Sequence, residues 1–304
     1  MFKNLLIYML FGGVVASTLV YAEEPEIPTL NPNEGRIGEI RRVEDATEFK
    51  VCADPDNMPY SNMKQEGFED KIAALIAQDL GKKLSFTYAY NRQGFLRNTL
   101  SANRCDVIMG TTSDNDAMRT SKPYYRSTHV FVYRKDSGYN IADWDSPELH
   151  KAVIGIIGES PATRPLADHG LMGNARPYRM QRDLNLPPGY LIDDLVKGDI
   201  DVAILWGPIG GYYAKQSKEQ LVVVLIPEYE QTNIHGKEYW NISVGVRKKD
   251  KERMAMIQGA LDRNQDKILK ILDDYGIPHV PVVEGDDIVK KSHEMRGEGN
   301  AKTQ

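Results

Sequence analysis

The sequence predicts an α/β fold of two lobes, each a mostly parallel sheet flanked by helices and joined to the other by a two-crossing hinge. Three observations lead there. Strand-like runs alternate with helix-like ones from residue 48 onwards, the order that builds parallel sheets with helices on their faces. The alternation starts afresh near residue 151, which gives a second α/β unit. Loops of polar and aromatic residues follow the strands, where open α/β sheets present a binding surface.

The elements follow in order. Phe49 to Ala53 is a short strand-like run that ends in Asp54-Pro55-Asp56-Asn57-Met58-Pro59-Tyr60-Ser61, a loop carrying donors, acceptors and an aromatic face. Gly67-Phe68-Glu69-Asp70 then opens an amphipathic helix from Lys71 to Leu80, with Ile72, Leu75, Ile76 and Leu80 on one face and Gly81 as its stop. Leu84 to Tyr90 alternates at period two, as a strand does, and Gly94 to Ala102 reads as a short helix. Asp106 to Met109 is a buried strand delivering Gly110-Thr111-Thr112 to the sheet's edge. In the second unit, Ala152 to Ile157 is strand-like. Ser160 before Pro161 reads as an N-cap with proline in the first turn of a helix that includes Thr163. Leu191 to Lys197 is helical and stops at Gly198; Val202 to Trp206 and Leu221 to Ile226 are strands. Ile242 to Val246 is the last strand, and helices from about 250 to 275 end at Tyr275-Gly276-Ile277-Pro278. The predicted division is residues 48–134 plus 243–283 for the first lobe and 135–242 for the second. A hinge is expected where the chain crosses twice.

The ends and the composition bound the function. Lys3, the apolar stretch Leu5 to Val20, and Val20-Tyr21-Ala22 form an export signal over residues 1–22. An uncleaved anchor is the alternative, but the run is short for a bilayer and Glu23-Glu24 follows it. Residues 23–47 read as an extended arm and 284–304 as a loose tail. The formal charge of −5 becomes one unit more negative when Lys3 is lost, and no clustered basic face argues for nucleic acid. Arg247-Lys248-Lys249-Asp250-Lys251 is read as a solvated turn before a helix. Cys52 and Cys105 both lie at strand-like positions. An oxidising compartment favours a disulfide, with two buried thiols as the alternative.

Catalysis finds little support. The six histidines show no metal-ligand spacing, there is no HExxH, GxSxG or P-loop, and Asp114-Asn115-Asp116 lacks the rest of a calcium loop. Asp54 and Glu159 are the acids whose positions would suit a cleft enzyme. No metal site is predicted.

From residue 48 to 281 the chain resembles the type II periplasmic solute-binding proteins, in Ala53-Asp54, Gly67-Phe68-Glu69-Asp70, Cys105 to Gly110, Thr120 to Tyr125 and Ile271 to Gly276. A narrower resemblance lies in Val51 to Ser61, Lys122-Pro123-Tyr124-Tyr125-Arg126-Ser127 and Asp201 to Tyr212. These resemble the J proteins, of MxaJ and XoxJ type, encoded alongside quinoprotein methanol dehydrogenases. The resemblance implies a monomeric, non-catalytic periplasmic protein that serves the dehydrogenase subunit, with its cytochrome c acceptor as a second candidate partner. It also implies that the dehydrogenase, and not this chain, carries pyrroloquinoline quinone and calcium or a lanthanide.

Set against amino-acid binders of that fold, Arg119 after Thr111-Thr112 is the candidate for a ligand carboxylate, with Ser160 and Thr163 at the second lobe's helix start. Where such binders place an Asp for the ligand's ammonium, Trp206-Gly207-Pro208 stands instead. The expected cleft is therefore formed by Asp54, Asn57, Pro59, Tyr60, Thr111, Thr112, Arg119, Tyr124, Ser160, Thr163, Trp206 and Tyr212. Its aromatic members suit a protein interface. A transport receptor closing over a small solute is the alternative function.

Overall fold

The computed structural model describes residues 43–113, 115–179, 186–227 and 239–283. The expected export signal, most of the arm, Asp114 and the tail lie outside the described residues.

Strand β1 (Glu48–Ala53) is followed by the small hairpin β2 (Asp56–Asn57) and β3 (Ser61–Asn62), helix α1 (Phe68–Asp79) and β4 (Lys83–Tyr88). A one-turn helix, α2 (Phe95–Asn98), precedes β5 (Val107–Thr112), β6 (Arg119–Thr120) and β7 (Tyr125–Ser127). The chain then leaves for β8 (His129–Arg134), β9 (Ile154–Ile157), α3 (Thr163–Asp168) and β10 (Ala175–Tyr178). There follow α4 (Tyr190–Lys197), β11 (Val202–Trp206), α5 (Gly207–Gln216) and β12 (Leu221–Leu225). It returns through β13 (Trp240–Val246), α6 (Lys251–Arg263) and α7 (Gln265–Tyr275).

Two sheets result, ordered β4-β1-β5-β13-β6 and β10-β9-β11-β8-β12. Each has a parallel trio, and each also carries antiparallel strands: β13 against β5, and β8 against both β11 and β12. The sheets are thus more mixed than the alternation predicts. The reason is that β8 enters the second lobe straight from β7, with no crossover helix to reverse the chain. This also corrects the predicted division. Residues 129–134, placed by sequence in the first lobe, pair in the second sheet, and Trp240 already belongs to the first. The crossings fall at Thr128 and between residues 226 and 240.

Local chemistry accounts for the helices. In α1, Ile72, Ala73, Ile76 and Ala77 are buried, while Leu75 and Leu80 pack at the margin of the same core. Gly198 and Gly276 close α4 and α7 in the left-handed conformation that a Cβ would disfavour. In β8, Val130 and Val132 face the core under α4 and α5, whereas Phe131 and Tyr133 face the opposite core with Trp144 and Leu166. A buried bridge joins Cys52 to Cys105, with Cα atoms 5.5 Å apart, inside a small cluster with Leu100, Ile108 and Met118. Arg247 is not the solvated residue its run suggests. It pairs with buried Asp106 at 3.2 Å, and with Arg253 it holds Glu44 at 2.6 Å.

Helix α5 fastens one lobe to the other. Lys215 donates to the carbonyls of Asp273 and Asp274 in the last turn of α7, where a cation is also favoured by the helix dipole. Tyr212 stacks on Tyr275 at 6.1 Å, and the Tyr213 hydroxyl donates to the Met58 carbonyl. The backbones approach so closely that a Cβ on Gly211 would lie 2.2 Å from the Gly276 carbonyl oxygen. Gly211→Ala is therefore expected to cost about 2 kcal/mol, because backbone cannot yield as a side chain can. A urea midpoint indistinguishable from the parent's would show that the lobes do not touch this way.

Candidate functional site

The loop after β1 is pinned onto the start of α1. The Phe68 and Glu69 N–H groups donate to the carbonyls of Pro59 and Tyr60, and Asp70 accepts from Gly67 and Asn62 through one carboxylate oxygen. Gly67 permits this approach, since a Cβ there would sit 1.9 Å from the Tyr60 carbonyl oxygen. The first two N–H groups of helix α1 are therefore taken by the loop, which weakens the usual reason for negative charge to settle at a helix start.

Beside this junction lies a cavity of about 470 Å³ at the strand ends. Its floor comes from β1 and β5, through Ala53, Ile108, Gly110 and Thr112, and its walls are largely aromatic: Tyr60, Tyr125, Trp206 and Trp240, with His129. Trp206 and Trp240 meet edge to face at 5.4 Å, and His129 contacts both rings. Burial pulls His129 down to about 4, so it is a neutral imidazole at ordinary pH. Burial pushes the Tyr60 and Tyr125 hydroxyls well above their usual range, so both stay protonated. A second cavity of about 910 Å³ adjoins the first and shares Asn57, Tyr60, Asn91, His129 and Trp206 with it. The second lobe contributes Ile157, Ser160, Tyr190 and Ile209 to its lining.

Three carboxyl groups border the inner cavity, and they differ in their partners. Asp54 accepts from the N–H groups of Asp56 and Asn91, and Asp70 has the two N–H donors already named. Glu69 accepts no hydrogen bond and forms no ion pair among the described residues. Burial, and secondarily the charge of Asp70, push it up to about 8. Asp70 is also raised by burial, to about 6, with its hydrogen bonds opposing the shift. Space for Glu69 exists because residue 110 is glycine at φ +65°. A Cβ there would lie 1.8 Å from the Glu69 Oε1.

Of the residues predicted for the cleft, Asp54, Asn57, Tyr60, Thr112 and Trp206 line the inner cavity, and Ser160 lines the outer one. The others lie elsewhere. Pro59 positions the loop through its carbonyl, and Thr111 accepts from Asn115 Nδ2. Arg119 pairs with Val246 and donates from Nε to the Lys248 carbonyl. Because β13 enters the sheet at Trp240 beside the cavity, its far end carries Arg119 away. Tyr124 is core, and its hydroxyl accepts from the Gly110 N–H. Tyr212 faces Tyr275. Ser160 is not a helix cap: α3 begins at Thr163, with Ala162 in the capping position. The Ser160 and Thr163 hydroxyl oxygens are buried without a hydrogen-bond partner among the described residues. Glu159 is exposed and borders neither cavity.

Sequence reasoning missed Glu69, His129, Trp240 and Asn91. A usable signal existed only for Glu69: if Asp70 completes the capping box, its neighbour must point elsewhere.

Comparison with known proteins accords with this geometry. Residues 49–276 match the model of the bacterial extracellular solute-binding proteins, family 3, and the chain belongs to that family. It is 30% identical to Protein MoxJ of Methylorubrum extorquens over 251 residues, covering 78% of this chain and 83% of that protein. Among solved structures, MxaJ from Methlophaga aminisulfidivorans is similar at 30% identity and a TM-score of 0.67, over 76% of this chain and all of that one. The periplasmic binding protein XoxJ from Methylobacterium extorquens is similar at 33% identity and a TM-score of 0.65, over 77% of this chain and all of that one. Among the described residues, no helix is long and apolar enough to cross a membrane.

Proposed function

We propose that this family 3 solute-binding protein is a periplasmic, non-catalytic accessory protein of methanol oxidation. It engages a dehydrogenase subunit that carries pyrroloquinoline quinone and its metal, and it acts in that enzyme's maturation or activation through the cleft between its lobes. The observation that carries the reading is the aromatic cleft itself. Two adjoining cavities of about 470 and 910 Å³ share Tyr60, His129 and Trp206, with Trp206 where an amino-acid receptor would need an acid. That space exceeds what one amino acid fills, and large rings with polar edges suit a polypeptide segment. The lock between α5 and α7 favours a cleft that changes little on binding. Similarity to MoxJ, MxaJ and XoxJ supports the same reading.

Trp206→Ala is expected to weaken association with the dehydrogenase at least tenfold, the loss usual for a truncated aromatic anchor of ~2 kcal/mol. Co-purification and titration would measure it, with circular dichroism confirming the fold. Undiminished association would sink the cleft as the docking site.

A second reading, a transport receptor for a small organic ligand, is favoured by the inner cavity, whose volume of about 470 Å³ suits such a ligand. Native mass spectrometry of protein gently released from its own cells separates the two. A small-molecule adduct supports the receptor, and an adduct of dehydrogenase-subunit mass supports the accessory role.

A further inference from the structure

The open edge of the second sheet plays no part in either functional reading. Strand β12 reads Leu-Val-Val-Val-Leu, each of its residues is half-buried, and among the described residues it pairs with β8 alone. We infer that this edge pairs with the same edge of a second copy of the chain, antiparallel about a two-fold axis at Val223, so that two sheets become one. The inference is independent of the proposed function, because β12 lines neither cavity of the cleft.

The pairing within the sheet decides which backbone groups face outward. The Lys135 N–H donates to the Gln220 carbonyl, and the Ile226 N–H donates to the His129 carbonyl. With Val223 opposite Val132, the backbones of Val222 and Val224 also face β8, because bonded pairs alternate along an antiparallel ladder. The N–H and C=O groups of Leu221, Val223 and Leu225 therefore point to the open edge. A two-fold axis at Val223 uses all of them: Leu221 faces Leu225 of the second copy, Val223 faces itself, and each facing pair exchanges two hydrogen bonds. The side chains agree with that register. Leu meets Leu, Val meets Val, and Glu219, the nearest charged residue, falls opposite Pro227 and not opposite a like charge. Pro227 has no N–H to donate, which ends the pairing there.

The other sheet edges are protected, and this one is not. An unpaired edge invites association unless charged residues or proline stand in it. Strand β4 opens on Lys83, β10 holds Arg176 and Pro177, and β6 and β7 carry Arg119 and Arg126. Strand β12 has neither a charge nor a proline. Leu221, Val223 and Leu225 border the core under α4 and α5, and Val222 and Val224 border the opposite one, so joining two edges extends apolar contact on both faces. Five residues from each copy fall short of the ~1,200 Å² that stable interfaces bury, so half-association belongs on the order of 100 µM. Dilute protein is then a monomer.

The test is analytical ultracentrifugation of the mature full-length chain from about 5 µM to about 1 mM, which brackets that affinity. The mass is expected to rise from one chain toward two. Val223→Pro removes an N–H that faces away from β8, a position where an edge strand tolerates proline. That variant should stay monomeric throughout, and its thermal melt confirms that it is folded. Val223→Lys and Val223→Glu each set like charges across the axis and should also stay monomeric alone. Mixed in equal amounts, they should associate at least tenfold more tightly than either does by itself. The mixed pair decides the matter if the proline variant does not fold. A one-chain mass at every concentration, an undiminished dimer in folded Val223→Pro, or no gain on mixing each overturns the inference. A monomeric parent whose Val223→Lys variant loses association with the dehydrogenase assigns the edge to a strand of that partner, and also overturns self-pairing.

Discussion

Glu69→Gln is expected to stabilise the empty protein at pH 8 by a few kcal/mol and to remove most of its loss of stability between pH 5 and pH 8. The sign follows from the raised acidity constant. Below about 4.5 the carboxyl is protonated in both the folded and the unfolded chain, and it contributes no pH dependence. Between there and about 8 the unfolded chain releases the proton while the folded one keeps it, so stability falls as pH rises, by up to ~1.4 kcal/mol per unit. Above 8 both forms are ionised and the penalty is complete. Glutamine mimics the protonated acid in shape and carries no charge, so the variant's stability curve should be nearly level above about pH 6, where the Asp70 titration ends. Asp70, raised to about 6, leaves a smaller slope at lower pH in both proteins. Urea unfolding at pH 5, 6, 7 and 8 measures the effect. Parallel curves for parent and variant would mean that Glu69 is solvated, and that Gly110 does not shelter it.

Replacing Cys52 and Cys105 together by Ala is expected to cost about 4 kcal/mol, from the chain entropy that a 53-residue bridge removes from the unfolded state. The loss should be the same when the parent is reduced under denaturing conditions. Both sulfurs are buried beside Leu100 and Ile108, so the substitution leaves no polar group behind. The bridge ties the end of β1 to the approach of β5, the two strands that floor the inner cavity. A denaturation midpoint that does not move on reduction would show that the bridge does not constrain the unfolded chain. The effect is independent of pH between 5 and 8, which separates it from that of Glu69.

Much of the architecture was legible because it is written in short-range pattern. Val202 to Trp206 appears with the bounds read from the sequence, since an apolar run ahead of Gly207-Pro208 leaves little choice of end. The stops at Gly198 and Gly276 were readable for the same reason, as glycine tolerates the left-handed residue that ends a helix. Ser160 misled because Ser-Pro is a good helix start in isolation. The chain instead makes a tight turn through Glu159 at φ 59° before α3 begins.

The cleft was legible only in part. Asp54, Asn57, Tyr60 and Trp206 border the cavity because strand ends converge there, a property of the fold class that the sequence announced. Arg119 and Tyr124 could not be sorted the same way. Each sits beside a strand, and which end and which face it takes depends on the partner strand β13, which is more than a hundred residues away.

The sequence by itself determined the order of strands and helices, the helix stops, the family resemblance and the aromatic character of the loops. Each rests on neighbours within a few residues. Only the tertiary structure decided that residues 129–134 join the second sheet, that Trp240 comes to face Trp206, and that Glu69 is the carboxyl left without a partner. Those outcomes depend on desolvation and pairing between distant segments. Gly110, on another strand, makes room for Glu69, and burial by the surrounding rings sets its charge. No window of sequence contains that information.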